Sequence, residues 1–219
     1  MLPAKRPKKP KAVPDPLEER FGLARRKLPP QVAAALETLM AENAAMAQRV
    51  AEAEALADHD PLTPCVNRRA FLRALQQSMS YAERYGVESA VLYIDLDGFK
   101  ALNDAYGHAV GDACLTHIAR VLCAQVRDSD VVGRLGGDEF GVILNHVSPA
   151  EAKRKAASLA EAIVNAPAVV AGVSHRVGAS IGVHAFAGPE DPELAIARAD
   201  ESMYAEKHAR KRAAAAIGG

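Results

Sequence analysis

The chain is poor in several features that would fix its class at once. Its 219 residues hold only three cysteines, Cys65, Cys114 and Cys123. The count is odd and the spacing is not that of a zinc site, which leaves reduced, mostly structural thiols and excludes a disulfide framework. No apolar stretch approaches the roughly 20 residues needed to cross a bilayer, and no secretory h-region follows the basic start, so a cytoplasmic protein is expected. Net charge is also missing, because 27 Lys and Arg balance 27 Asp and Glu. That balance argues against a general nucleic-acid binder, although Lys5, Arg6, Lys8, Lys9 and Lys11 form a local basic tail among prolines. His59, His117, His146, His175, His184 and His208 form no ligand-spaced cluster, and no internal repeat is visible.

What the chain does have is concentrated in a few segments. Gly136-Gly137-Asp138-Glu139-Phe140 lies between Val131-Val132 and Gly141-Val142-Ile143-Leu144. The flanks read as two strands, and the glycines permit the backbone of a tight turn. Successive strand residues face opposite ways, so one of the two acids can meet a metal while the other points elsewhere. Taken alone, the same turn favours a surface hairpin with solvated acids.

A second segment changes that balance. Ala90-Val91-Leu92-Tyr93-Ile94 is a continuous apolar run suited to a buried strand, and it ends in Asp95-Leu96-Asp97-Gly98-Phe99-Lys100. Hard cations take oxygen ligands and are usually held by one or two carboxylates plus substrate phosphates, which suits Asp95 and Asp138 if their strands are neighbours. Asp97 is expected to cap the helix that follows; Asp95 lies too early to do so.

Asp60-Pro61-Leu62-Thr63, Asn67-Arg68-Arg69, the run from Asp95 to Asp112, Gly136 to Phe140 and Ser180-Ile181-Gly182-Val183 occur in that order. Together they resemble the GGDEF-domain family of diguanylate cyclases, over roughly Asp60 to Lys211. The resemblance implies Mg²⁺, or Mn²⁺ in its place, bound by the side chains of Asp95 and Asp138 and the backbone carbonyl of Leu96. It implies GTP held by Phe99, Lys100, Asn103, His108, Asp112, Gly136, Gly137, Lys207 and Lys211, with Asn103, His108 and Asp112 at the guanosine. An Asn amide and an Asp carboxylate offer both donors and acceptors to a guanine edge. His108 reads equally as a helix-start residue packed by its neighbours. Lysines act as mobile point charges toward phosphate.

The implied reaction condenses two GTP into cyclic di-GMP and releases pyrophosphate, each 3′-hydroxyl attacking the other nucleotide's α-phosphate. One domain holds one GTP, so catalysis requires a homodimer, with Asp138, Glu139 and Lys100 as the catalytic groups. Asp138 or Glu139 is the candidate to accept the hydroxyl proton. Arg127-Asp128-Ser129-Asp130 matches the family's Arg-x-x-Asp motif, which implies inhibition by cyclic di-GMP through Arg127 and Asp130; a solvated Arg/Asp turn is the plainer reading.

Four segments follow. Residues 1–30 form a basic, Pro-rich flexible tail and 31–58 a dimerising coiled-coil helix; 59–213 form the cyclase domain and 214–219 a flexible end. In 31–58 a heptad frame places Leu36, Asn43, Val50 and Ala57 at a, with Val32, Leu39, Met46 and Ala53 at d. A single Asn at a favours a parallel two-stranded pair. An Ala-rich amphipathic helix folded on its own domain is the alternative. Three positions depart from the family: Pro64-Cys65 replaces Gly-Leu, and Lys211 stands where an arginine is typical.

The expected elements are helix 68–85, strand 89–94, helix 109–126, hairpin 131–144, helix 149–165, strand 177–186 and helix 192–212. Their order suits an α+β fold, a mostly antiparallel central sheet packed by helices, similar to the palm-like fold of nucleotide cyclases, behind the N-terminal coiled-coil helix. A catalytically silent cyclic di-GMP receptor or scaffold is the competing function, against which the intact acids Asp95, Asp138 and Glu139 argue. Guanine specificity is favoured by Asn103 and Asp112 without excluding mixed cyclic products.

Overall fold

The computed structural model describes residues 22 and 27–217, without the side chains of 51–56, 206 and 208–217. The basic tail at Lys5 to Lys11, and the side chain of Lys211, therefore lie outside the described residues. The chain divides into two units, Met1–Leu56 and Ala57–Gly219.

The first unit contains helix α1, Pro30–Leu56. Proline at its first position costs no hydrogen bond, because that N–H has no partner in a helix anyway. Val32, Leu39, Met46 and Val50 are between 44% and 60% exposed, so the apolar positions of the heptad frame are largely uncovered in the single chain.

In the second unit, β1 (Val66–Asn67) leads into α2 (Arg68–Tyr85), β2 (Ser89–Asp97), α3 (Phe99–Tyr106) and α4 (His108–Gln125). The hairpin β3 (Val131–Arg134) and β4 (Glu139–Leu144) follows, then α5 (Pro149–Asn165) and a small hairpin of β5 (Ala168–Val170) and β6 (Val173–His175). Strand β7 (Gly178–Phe186) and helix α6 (Pro192–Ile217) complete it. The five-stranded sheet has the order β1-β3-β4-β2-β7, antiparallel except for the β1–β3 pair. The expected α+β architecture and mostly antiparallel sheet are thus present.

The sequence reading missed β1, α3 and the β5–β6 hairpin, which are too short for periodicity to register. Strand β2 runs to Asp97, three residues beyond the apolar run, because β7 pairs with it as far as Asp97↔Gly178. Asp97 consequently does not cap α3. The cap is Gly98, with φ 74° and no side-chain bond, and the Asp97 carboxylate instead accepts from Ser180 Oγ at 3.0 Å.

Helices cover both faces of the sheet. On one face, Leu115, Ile118 and Leu122 of α4 and Leu159 and Ile163 of α5 pack against Leu92, Ile94, Phe140 and Val142. On the other, α2 and α6 meet Val91, Tyr93 and Ile143 through Phe71, Leu75, Met79, Ala199 and Met203. Phe71 is fully buried, a contribution on the order of 1.5–3 kcal/mol for such a side chain. It occupies space that two glycines vacate: a Cβ on Gly141 or Gly133 would lie 2.5 or 2.6 Å from the Phe71 ring.

Gly182 does the same for a backbone. A Cβ there would lie 1.9 Å from the Ala199 carbonyl oxygen and 2.4 Å from the Met203 nitrogen, so α6 rests directly on β7. This close approach sets the height of Lys207, one turn beyond Met203, above the end of β2.

Candidate active site

Register brings the acids together. Asp95 is paired with Glu139 across β2 and β4, and Leu96 N–H donates to the Asp138 carbonyl at 3.3 Å. Alternation then sends Tyr93, Asp95, Asp97 and Glu139 to the face covered by α2 and α6. Asp138, just outside β4, turns toward the opposite side.

Lys207 closes the first group. Its Nζ lies 2.7 Å from Asp95 Oδ2 and 3.0 Å from Asp97 Oδ1. The hydrogen bond to Asp95, with the neighbouring Asp97 charge, outweighs burial and raises the Lys207 pKa. The Asp138 pKa is also raised, which disfavours its charge: burial is the largest cause and the charges of Asp95 and Glu139 add to it, while its own backbone N–H and Lys207 only partly offset them. This corner therefore holds more negative charge than its one ammonium balances.

The second group lines a cleft of about 400 Å³. Phe99, Lys100, Asn103, His108, Asp112, Gly137 and Asp138 all border it, together with Asp104, Leu115 and Arg134. Helices α3 and α4 form its wall, meeting at Gly107 with φ 84°. His108 is exposed at the start of α4 rather than packed. The Asn103 Oδ1 is buried without a hydrogen-bond partner, and it is accommodated by Gly111, where a Cβ would lie 1.9 Å away. An acceptor buried without a partner costs about 1–3 kcal/mol.

Gly136 does not border the cleft. A Cβ there would lie 2.3 Å from Glu139 Oε2, so its role is to let the Glu139 carboxylate fold back over the turn. Asp95, Leu96 and Lys207 do not border the cleft, but Asp138, which does, feels the charges of Asp95 and Lys207.

Arg134 is the residue that sequence reasoning missed. Its Nε and Nη2 both donate to the Gly137 carbonyl, at 3.1 and 2.8 Å, and its Nη1 pairs with Asp60 at 3.3 Å. Asp60 also accepts from the Leu62 and Thr63 backbone N–H groups and from Thr63 Oγ1. Burial opposes the Asp60 charge, but the Thr63 hydrogen bonds and Arg134 prevail and lower its pKa. The Asp60-to-Thr63 turn is thereby a brace for the Gly136–Gly137 turn. A lone cation at the end of an otherwise apolar strand was the available signal.

Arg127 and Asp130 lie elsewhere, in a second pocket with His146, Glu151, Arg154 and Lys155. Asp130 accepts from the Arg127 backbone N–H at 3.0 Å and from the Asn145 N–H at 3.1 Å. Both carboxylate oxygens are thus occupied in shaping the turn, and Arg127 is exposed.

Among the described residues no three His, Cys, Asp or Glu side chains lie close enough to hold a metal by themselves. A cation here would take its other ligands from backbone and phosphate oxygens, which is how Mg²⁺ is ordinarily bound beside nucleotides. The unbalanced charge around Asp138 fits such an ion.

Residues 57–213 match the family described as diguanylate cyclase, GGDEF domain. The bifunctional diguanylate cyclase/cyclic di-GMP phosphodiesterase MucR of Pseudomonas aeruginosa is 42% identical over 154 residues, 69% of this chain and 22% of MucR. The chain covers 14% to 32% of the length of this and other curated relatives. The solved GGDEF domain of TpbB (YfiN) from P. aeruginosa superposes with TM-score 0.64 at 38% identity, covering 68% of this chain and 88% of that one. That of DgcB from Caulobacter crescentus, in complex with c-di-GMP, gives TM-score 0.65 at 25% identity over 70% and 89%. With the family's motif acids on adjoining strands and its match spanning most of the sequence, the chain belongs to the GGDEF-domain family of diguanylate cyclases.

Proposed function

We propose that the protein is a diguanylate cyclase that condenses two GTP into cyclic di-GMP with release of pyrophosphate. The observation that carries this reading is the cleft itself, bordered both by Asn103, whose Oδ1 is an unpartnered acceptor, and by the Asp138 carboxylate. The acceptor suits the N–H groups of guanine, and Asp112 on the next helix supplies a second. Lys100, exposed on the same wall, meets the phosphates. Asp95, Asp138 and the Leu96 carbonyl would hold a divalent cation, which would supply charge neutralisation at the triphosphate. Lys207, paired with Asp95 in the free chain, would meet the phosphates, as would Lys211 from the same helix.

Glu139 or Asp138 takes the proton of the attacking 3′-hydroxyl, and the rigid cleft holds that oxygen in line with the partner nucleotide's α-phosphorus. Because one cleft holds one GTP, a homodimer is required, and the exposed Val32, Leu39, Met46 and Val50 of α1 supply an apolar seam for a parallel coiled coil. Product binds the separate pocket at Arg127 and Asp130 and inhibits; the c-di-GMP bound to the DgcB domain supports this reading. No helix among the described residues is long and apolar enough to cross a membrane, and the cytoplasm, where GTP is, is the proposed location.

The test is incubation of purified protein with GTP and Mg²⁺ or Mn²⁺, followed by separation of nucleotides, beside Asp138→Asn. Cyclic di-GMP from the wild type and none from the variant is expected. Equal product from the variant removes the assigned metal role.

A further inference from the structure

Beside the Arg127 pocket lies a run of three exposed rings that the catalytic reading does not use. The centroids of Tyr85 and Tyr81 are 4.3 Å apart, and Tyr81 and His146 are 5.2 Å apart. Tyr81 is 45% exposed and Tyr85 57%. Aromatic side chains left this open on one helix face are unusual unless something stacks on them.

The His146 backbone is held against its preference. Its φ of 55° is in the left-handed region, which costs a non-glycine residue on the order of 1 kcal/mol. The neighbours enforce it. Asn145 donates its N–H to Asp130 and its side-chain amide to the Ser129 carbonyl, and accepts from Ser78 Oγ; His146 N–H donates to Ser89 Oγ at 3.3 Å. One set of bonds therefore fixes both the Arg127-to-Asp130 turn and the imidazole that borders the same pocket. Backbone strain that is over-determined in this way marks positions where a side chain must be aimed.

The charge beside the rings is unbalanced. Glu151 is bonded to the Ser148 cap and stabilised in part by the charges of Arg154 and Arg127, and Asp130 is occupied by backbone N–H groups, but among the described residues neither arginine makes an ion pair within 4 Å, and Lys155 adds a third cation to the pocket. A pocket of about 320 Å³ is at the lower end for a small-molecule site and suits one base with its phosphate rather than a whole cyclic dinucleotide.

We infer that His146, backed by Tyr81, is the stacking wall for a guanine base of bound cyclic di-GMP, with Arg127 and Arg154 on its phosphate and base edge. The inference rests on the product-binding reading above and assigns that site its aromatic half. His146 is the binding residue for the product, Tyr81 supports its ring, and Asn145 is the positioning residue that couples the ring to the turn.

Titration calorimetry of the full chain with cyclic di-GMP tests it, using wild type, Arg127→Ala, His146→Asn, Tyr81→Ala and Tyr81→Phe. Asparagine tolerates the left-handed backbone, so His146→Asn removes the ring without adding strain. His146→Asn is expected to weaken binding about 5- to 150-fold, the range of one base–aromatic stack, and Tyr81→Ala to weaken it less, while Tyr81→Phe stays within about threefold of wild type. Arg127→Ala binding as wild type sinks the product-site reading itself. Loss of binding in Arg127→Ala with His146→Asn still within twofold of wild type overturns the stacking wall alone.

Discussion

Lys207 and Asp95, 112 residues apart in sequence, are joined by a 2.7 Å hydrogen bond that exists because α6 lies directly on Gly182. In the proposed cyclase Asp95 is also a metal ligand, so the ammonium and the metal would compete for one carboxylate.

Replacing Lys207 with Ala separates the two roles of that side chain. Without the ammonium, the charges of Asp95, Asp97 and Asp138 are uncompensated, and Mn²⁺ binding in the absence of nucleotide is expected to tighten. Turnover of GTP is expected to fall on the order of 10²-fold, as for removal of a positioned charge-stabilising group. Calorimetry with Mn²⁺ and initial-rate measurements check the two arms.

Gly182→Ala tests the seat of the helix. A methyl group 1.9 Å from a carbonyl oxygen must push α6 outward, which for overpacking costs about 1–3 kcal/mol. A lowered Tm together with lost activity is the expected outcome. A full-activity variant of unchanged Tm would show that the helix does not set the position of Lys207.

The brace under the turn makes a pH prediction. Because Asp60 is lowered in the folded state, its stabilisation is fully present above the unfolded carboxylate value of about 3.9 and is lost as pH falls through the lower folded value. Asp60→Asn is therefore expected to be less stable than wild type at neutral pH, by on the order of 1–3 kcal/mol. The gap should close in acid. Urea unfolding at several pH values measures it.

Arg134→Lys is expected to be nearly as damaging as Arg134→Ala. A lysine cannot give two parallel donors to the Gly137 carbonyl and a third to Asp60. Since the turn carries Asp138, kcat should fall about 10- to 100-fold in both, with a smaller change in Tm. Recovery of wild-type kcat in Arg134→Lys would reduce Arg134 to a simple charge.

In Arg127→Ala, initial rates are expected to become insensitive to added cyclic di-GMP. Inhibition that persists unchanged would make the Arg127-to-Asp130 turn a purely structural feature.

Much of this site was legible in the chain because its parts are local. The apolar run ending at Asp95, the glycines before Asp138 and the helical stretch bearing Asn103, His108 and Asp112 each announce themselves through residue type and spacing. Asp97 misled, since a strand end and a helix cap use the same residue and only pairing with β7 distinguishes them. Arg134 was overlooked because its partners, Asp60 and the Gly137 carbonyl, include a backbone atom that carries no sequence signal.

The sequence alone determined which residues could form strands, turns and helices, and which acids were available to a nucleotide, because those properties depend on side-chain chemistry and near neighbours. Tertiary structure decided the rest: that Asp95 faces Glu139, that Lys207 reaches both aspartates, and that His146 stands beside Tyr81 at the Arg127 pocket. Each of those depends on sheet register or on how closely a helix can approach a strand. These are distances between segments remote in the chain, and no local pattern encodes them.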